Sequence, residues 1–188
     1  MEIKNTQVLK YEEFITDENQ VFQFECDMEE GKYQHWVDQY PEHILSIFGS
    51  LLEYYGNFVN EEDIIFFLNN GVVLNVVTNA YRCESGYTTA LIYACEHRYK
   101  RLIEYLIKYG AYVDKKDKTN TTPLESVLMG HGMRDLSKIE ETEECVKILL
   151  EAGAKNELRR FILEDYCEEY LEKSEYLKSI LENAVIVD

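Results

Sequence analysis

Much is missing from this chain, and each absence excludes something. No stretch approaches the roughly 18 consecutive apolar residues that a membrane span needs. The opening Met1-Glu2-Ile3-Lys4-Asn5 lacks the basic start and apolar core of a signal peptide, so the expected location is cytoplasmic. The five cysteines (Cys26, Cys83, Cys95, Cys145 and Cys167) are scattered, with no close pair of the kind that zinc or redox sites use. They are expected to be reduced and structural. Basic residues are scarce, 19 Lys and Arg against 36 Asp and Glu, for a net charge of −17. Phosphate contact needs a basic face, so nucleic acid and anionic membrane are excluded as partners.

Catalytic motifs are missing as well. There is no phosphate-cradling glycine loop, no Gly-x-Ser-x-Gly elbow and no histidine pair at metal-ligand spacing. His35, His43, His97 and His131 lie far apart in the chain, and the carboxylates fall in solvated runs such as Glu140-Glu141-Thr142-Glu143-Glu144. The expectation is no catalytic residue, cofactor, metal or small-molecule substrate.

What remains is a chain of 188 residues, 46% apolar, long enough for one domain with a continuous core. Its charge is uneven. Residues 1–30 balance to −7 and residues 157–188 to −5, whereas 82–118 balance to +3. Acidic ends either keep an elongated protein soluble or steer a basic partner, and charge alone leaves both readings open. Tyrosine is abundant, 15 in all, which suits a binding surface because its ring buries area at small entropic cost.

The organising stretch runs from Glu84 to Lys116. It opens Glu84-Ser85-Gly86-Tyr87-Thr88-Thr89-Ala90-Leu91 and closes Leu106-Ile107-Lys108-Tyr109-Gly110-Ala111. About 33 residues later the opening returns, with Asp117 on Glu84 and Thr122-Pro123-Leu124 on Thr89-Ala90-Leu91. The close returns as Leu149-Leu150-Glu151-Ala152-Gly153-Ala154, with about ten extra residues inside the later copy, near Gly130 to Glu141. Thr89 and Thr122 stand where a hydroxyl accepts from unpaired helix N–H groups, and Pro123 suits a first helical turn. Leu91, Ala94 and Cys95 form one apolar stripe, and Leu102, Ile103, Leu106 and Ile107 form a second. Gly110 and Gly153 follow where a helix ends in a left-handed residue. One such unit cannot bury both stripes, so units must stack.

A turn and two short helices per copy resembles the ankyrin repeat. Ile64, Phe67, Leu68 and Gly71 echo Ile103, Leu106, Ile107 and Gly110, and Leu74-Asn75 stands in the place of Val113-Asp114. The expected fold is therefore an all-α, ankyrin-like helical-hairpin solenoid with degenerate capping helices at both ends. Its expected parts are an arm and cap helix (1–40), a degenerate repeat (41–83) with a longer finger at Val76 to Cys83, a repeat (84–116), a repeat with an insertion (117–157) and terminal cap helices (158–188). Val21 to Cys26 alternates as a short strand or an extended arm would, and Trp36 reads as a core residue. Past Ala154, Leu158, Ile162, Tyr166 and Tyr170 recur every four residues, as on a helix.

The resemblance implies a non-enzymatic protein-protein interaction module. By position it offers Ser85, Gly86, Thr88, Glu96, His97, Tyr109 and Lys116 from one copy and Lys118, Thr119, Thr121 and Met129 from the next as contacts. Tyr87 and Asn120 replace the usual turn glycine, Arg98 the mid-repeat glycine, and Ile92 and Glu125 the common histidine. Arg98, Lys100 and Arg101 read as a solvated face or an anion-contacting patch. A small, strongly acidic single-domain chain with no appended effector domain is expected, within the interaction-module reading, to be an inhibitor or immunity protein that neutralises a basic protein such as a toxin domain. A cytosolic adaptor or scaffold without inhibitory role is the alternative.

Overall fold

The structure, a computed structural model, describes residues 9–81, 86–129, 136–165 and 172–187. It is mostly helical. Three helices, α1 (Tyr11–Phe14), α2 (Glu18–Glu29) and α3 (Gln34–Gln39), lead through a 3-10 turn at Pro41–His43 into α4 (Ile44–Tyr55) and α5 (Glu61–Asn69). Two further hairpins follow: α6 (Ala90–Glu96) with α7 (Lys100–Lys108), and α8 (Pro123–Met129) with α9 (Ile139–Glu151). The chain then forms β1 (Glu157–Arg159), α10 (Arg160–Asp165), α11 (Glu175–Glu182) and β2 (Val185–Val187). One core cluster runs from Tyr11 to Leu181, and Leu91 and Leu106 share it.

Residues 21–26 are helical, neither strand nor arm. Asp17 starts α2 by accepting from the N–H groups of Asn19 (3.0 Å) and Gln20 (3.1 Å). Val21, Phe24 and Met28 then face inward at three- and four-residue steps, while Phe22, 67% exposed, lies on the outer side. The outward Phe22 falls in step with Phe24 and Cys26 at every second position, and that gives the alternation. Trp36 is a core residue, packed edge-on against Phe24 at 5.2 Å. Its indole N–H donates to the buried carboxylate of Asp27 at 2.9 Å.

The repeats are joined by equivalent bonds. Asn75 accepts the N–H of Tyr112 at 2.7 Å and donates to the Gly110 carbonyl at 2.9 Å. Asp114, its counterpart one repeat later, accepts the N–H of Lys155 at 3.0 Å. The register matched on Leu74-Asn75 is therefore the structural one. Gly71, Gly110 and Gly153 end the outer helices α5, α7 and α9 with φ of +100°, +93° and +92°, conformations that a Cβ would strain. Between the inner helices, the Ser126 hydroxyl donates to the Ile92 carbonyl at 3.1 Å. The segment at 76–81 crosses directly over α4. A Cβ on Gly49 would stand 2.2 Å from the Ala80 carbonyl oxygen, so only glycine permits this approach.

Two expectations need correction. The fold is not wholly α: β1 and β2 pair in parallel, Leu158 opposite Ile186, at the C-terminal edge and away from the hairpin interior. Residues 157–159 are consequently strand, and the helix expected from Leu158 begins at Arg160. The reason is local. Glu125 accepts both the backbone N–H (3.0 Å) and the Nε (2.9 Å) of Arg159, and the Asn156 carbonyl accepts from Val185. These bonds hold the chain extended. The four-residue spacing is real for Leu158 and Ile162, both fully buried, while Tyr166 and Tyr170 lie outside the described residues.

Candidate interaction surface

Two turns project between hairpins, and the second is closed by Asp117. Its carboxylate accepts the N–H groups of Thr119 (2.7 Å) and Thr121 (2.9 Å) and the Thr119 hydroxyl (2.8 Å). That closes a tight turn in which Asn120 adopts φ +62°, a left-handed conformation asparagine tolerates better than most residues. In the preceding turn Gly86 takes φ +75°, one position before the residue (Tyr87) aligned with Asn120. The turns touch through the Lys118 N–H, which donates to the Tyr87 carbonyl, and through the Lys118 ammonium, 4.6 Å from the Tyr87 ring.

The residues expected to contact a partner separate into distinct places. Gly86, Lys116, Lys118 and Thr119 are exposed together on the turns. Thr88 and Thr121 do not belong with them. Thr88 is fully buried, its N–H and carbonyl both paired with Thr78, and Thr121 is 7% exposed with its hydroxyl held by Arg159 at 2.9 Å. Strand pairing and the Arg159 clasp turn both side chains inward.

Glu96, His97 and Met129 lie at the opposite ends of α6 and α8, half-buried. The His97 ring is held between Tyr93 (4.5 Å) and Tyr99 (5.3 Å). Tyr109 stands elsewhere again, at the end of α7. Its hydroxyl and Lys108 both donate to Glu61 at the start of α5, tying two outer helices together. Those hydrogen bonds, Lys108 first, hold the Glu61 carboxyl below its ordinary range, and the Glu61 bond raises the Tyr109 hydroxyl. Ser85 lies outside the described residues, as do Gly130 to Asp135 of the expected insertion.

Glu125 is structurally decisive, and its spacing from Thr122 carries the signal. Thr122 and Glu125 form a reciprocal capping box: Glu125 N–H donates to the Thr122 hydroxyl (3.2 Å), and Thr122 N–H to the Glu125 carboxylate (3.1 Å). The Thr-x-x-Glu spacing is the sequence mark of that device. Glu125, 1% exposed, thus fills the family's histidine position and clamps Arg159 across 34 residues. Arg159 also donates to Thr119 and Thr121 and stacks 4.8 Å from Phe161. Beside this clamp, Lys116, Asn120, Glu157 and Val187 frame a cleft of about 360 Å³.

Arg98 is not a solvated-face residue. It is 7% exposed, takes the left-handed φ of +56° in place of glycine, and donates to Thr142 (2.8 Å) and the Val127 carbonyl (3.2 Å). The two described buried thiols are kept protonated by burial, which pushes Cys145 up to about 12 and Cys95 well above the ordinary thiol range. No described helix is long and apolar enough to cross a bilayer.

Stacked helical hairpins, joined by the Asn75 and Asp114 bonds and ended by the same left-handed glycines, define a repeat-built, mostly helical binding scaffold. No curated protein and no solved structure matches the chain. A family model for ankyrin repeats, three copies, matches residues 57–160, and the chain belongs to the ankyrin-repeat family. That membership points to protein-protein interaction as its general role.

Proposed function

We propose that this protein is a non-enzymatic, cytoplasmic module that captures a basic protein partner and neutralises it, as an immunity protein neutralises a toxin domain. The observation that carries this reading is the acidity left after local pairing. Lys100, Lys108, Lys138, Lys147 and Lys155 each sit against a glutamate of their own chain. A net charge of −17 is therefore displayed with many of its cations already engaged. Such a surface steers a cationic partner and rejects anionic ones. In this reading the helices before α4 and after β1 close the ends of the stack, and the exposed turn residues Gly86, Lys116, Lys118 and Thr119 contribute contacts.

Affinity capture from the native cell, followed by mass spectrometry, tests the proposal. One stoichiometric partner of high isoelectric point is expected. Its affinity should fall as salt rises, and its toxicity should be relieved by co-expression of this chain. Recovery of assorted chaperones alone would sink the reading. A stoichiometric partner that keeps its full activity in the complex would identify an adaptor instead.

A further inference from the structure

The first hairpin carries an anomaly that the second explains. Counting back from the equivalent Ile64 and Ile103, Phe58 occupies the position of His97. His97 is held between two tyrosine rings, whereas Phe58 is 80% exposed, the most exposed of the large apolar residues described. It projects beside a cleft of about 440 Å³ between the end of α2 and the α4–α5 connection. The floor is apolar: Met28, Leu51 and Val59 are each nearly or fully buried. Tyr54, 41% exposed, lines the same cleft, and its hydroxyl lies 3.3 Å from that of Tyr11, which donates to Glu25 at 2.8 Å.

Glu29 and Glu30 stand exposed where α2 ends, and Gly31, at φ +72°, turns the chain away. Tyr33 then forms a ridge, packed on Phe66 and Phe67 and donating to Asp63 at 3.2 Å. On its far side lies a second cleft of about 690 Å³, where Asp38, Glu62 and Asp63 line the wall. Across both clefts five carboxylates face one lysine, Lys32, which is paired with Glu30, and one histidine, His35, which sits 3.1 Å from Asp27.

We propose that this acidic, aromatic-rimmed double cleft is a docking site for a basic, partly apolar segment of a protein partner. An apolar side chain covers the exposed Phe58 ring, and an arginine or lysine lies between the Tyr54 ring and the Glu29–Glu30 carboxylates. Charge complementarity selects the occupant. Rings and carboxylates on one rim suit a cation, because the ring face and the anion attract it together. Tyr54 and the backbone of Phe58, whose N–H donates to the Tyr55 carbonyl at 2.7 Å, are already fixed, so little ordering opposes binding. The inference rests on the basic partner proposed above and locates where that partner is gripped, on a face separate from the turn residues.

The full chain would be titrated against fluorescein-labelled short peptides by anisotropy. One alternates Arg and Leu, one Arg and Ser, and one Glu and Leu. The Arg–Leu peptide should bind best, the Arg–Ser peptide more weakly, and the Glu–Leu peptide not at all. Phe58→Ser, and Glu29→Gln with Glu30→Gln, should each lower Arg–Leu affinity at least roughly tenfold with an unchanged melting temperature. Glu140→Gln with Glu141→Gln, an exposed acidic pair on α9 away from both clefts, should leave it unchanged. Equal binding of the Arg–Leu and Arg–Ser peptides, or an equal loss in the Glu140–Glu141 variant, overturns the cleft while the captured basic partner still stands. Failure of the unmodified chain to bind the Arg–Leu peptide overturns it too, whatever the affinity capture returns.

Discussion

Phe58 and His97 close the same turn in successive hairpins, yet one ring is exposed and the other half-buried against two tyrosines. The difference lies in what precedes each turn. Tyr93 on α6 and Tyr99 on the far side of the turn bracket His97. In the first hairpin Tyr54 stands at the Tyr93 position but its hydroxyl lies against Tyr11 of α1 instead, and Asn60 stands where Tyr99 does. One ring is drawn to the N-terminal helices and the other is absent, so Phe58 has no pair of tyrosines to pack on. Regular repeats satisfy their own side chains, whereas the hairpin that meets the N-terminal helices satisfies theirs and leaves a ring unpaired with protein. A binding surface arises where the repeat pattern is broken.

The largest test of the comparison concerns what the two hairpins have in common. Leu106 and Phe67 are equivalent, fully buried positions on α7 and α5. Leu106→Ala should cost about 2–5 kcal/mol and Phe67→Ala about 3–5 kcal/mol, read by urea unfolding. If the N-terminal helices form one cooperative body with the repeats, both variants unfold in a single transition. Two transitions for Phe67→Ala, with the repeats melting separately, would break the comparison by making the first hairpin an independent unit.

The repeats were legible in the sequence because stacking imposes fixed demands at fixed spacing. Thr89 and Thr122 had to start helices, Gly110 and Gly153 had to end them, and Asn75 had to stand where Asp114 stands. Each did. The cap helix expected before residue 40 is α3, whereas α1 and α2 hid: α1 spans only four residues, and in α2 the exposed Phe22 masks the three- and four-residue steps of Val21, Phe24 and Met28. The C-terminal strand hid for another reason: Leu158 and Ile162 keep helical spacing, but Glu125 overrides it by gripping Arg159 from another hairpin. Among the expected contacts, exposure was readable at the polar turn residues Lys116, Lys118 and Thr119. Thr88 and Thr121 are buried instead, by the Thr78 bridge and the Arg159 bond, which spacing does not encode.

The Glu125–Arg159 clamp gives the next effect in size. Glu125 is almost wholly enclosed, while the Arg159 side chain keeps about a quarter of its surface in water. Arg159→Ala removes the charge-assisted partner but leaves the backbone N–H bonds from Thr122 and Arg159 itself. The expected loss is therefore about 1–3 kcal/mol, below the full penalty of a stranded buried charge. Arg159→Lys should recover only part of it, since one ammonium cannot reproduce the fork that reaches Glu125, Thr119 and Thr121. Full recovery by lysine would mean that charge alone, without the fork, holds β1 extended.

The smallest effects bear most directly on the opening contrast. His97→Ala removes a ring packed between two others and should lower stability by about 0.5–1.5 kcal/mol. Phe58→Ala removes a ring that is 80% exposed and should change stability by no more than about 0.5 kcal/mol. The two positions are equivalent in the repeat, so the pair of measurements separates scaffold from surface without reference to any partner. A Phe58→Ala loss as large as that of His97→Ala would show that Phe58 packs on its own chain in solution, and would close the cleft to an outside segment. A negligible change leaves the ring with no structural reason to be aromatic, and then its place between Glu29, Glu30 and Tyr54 is the reason that remains.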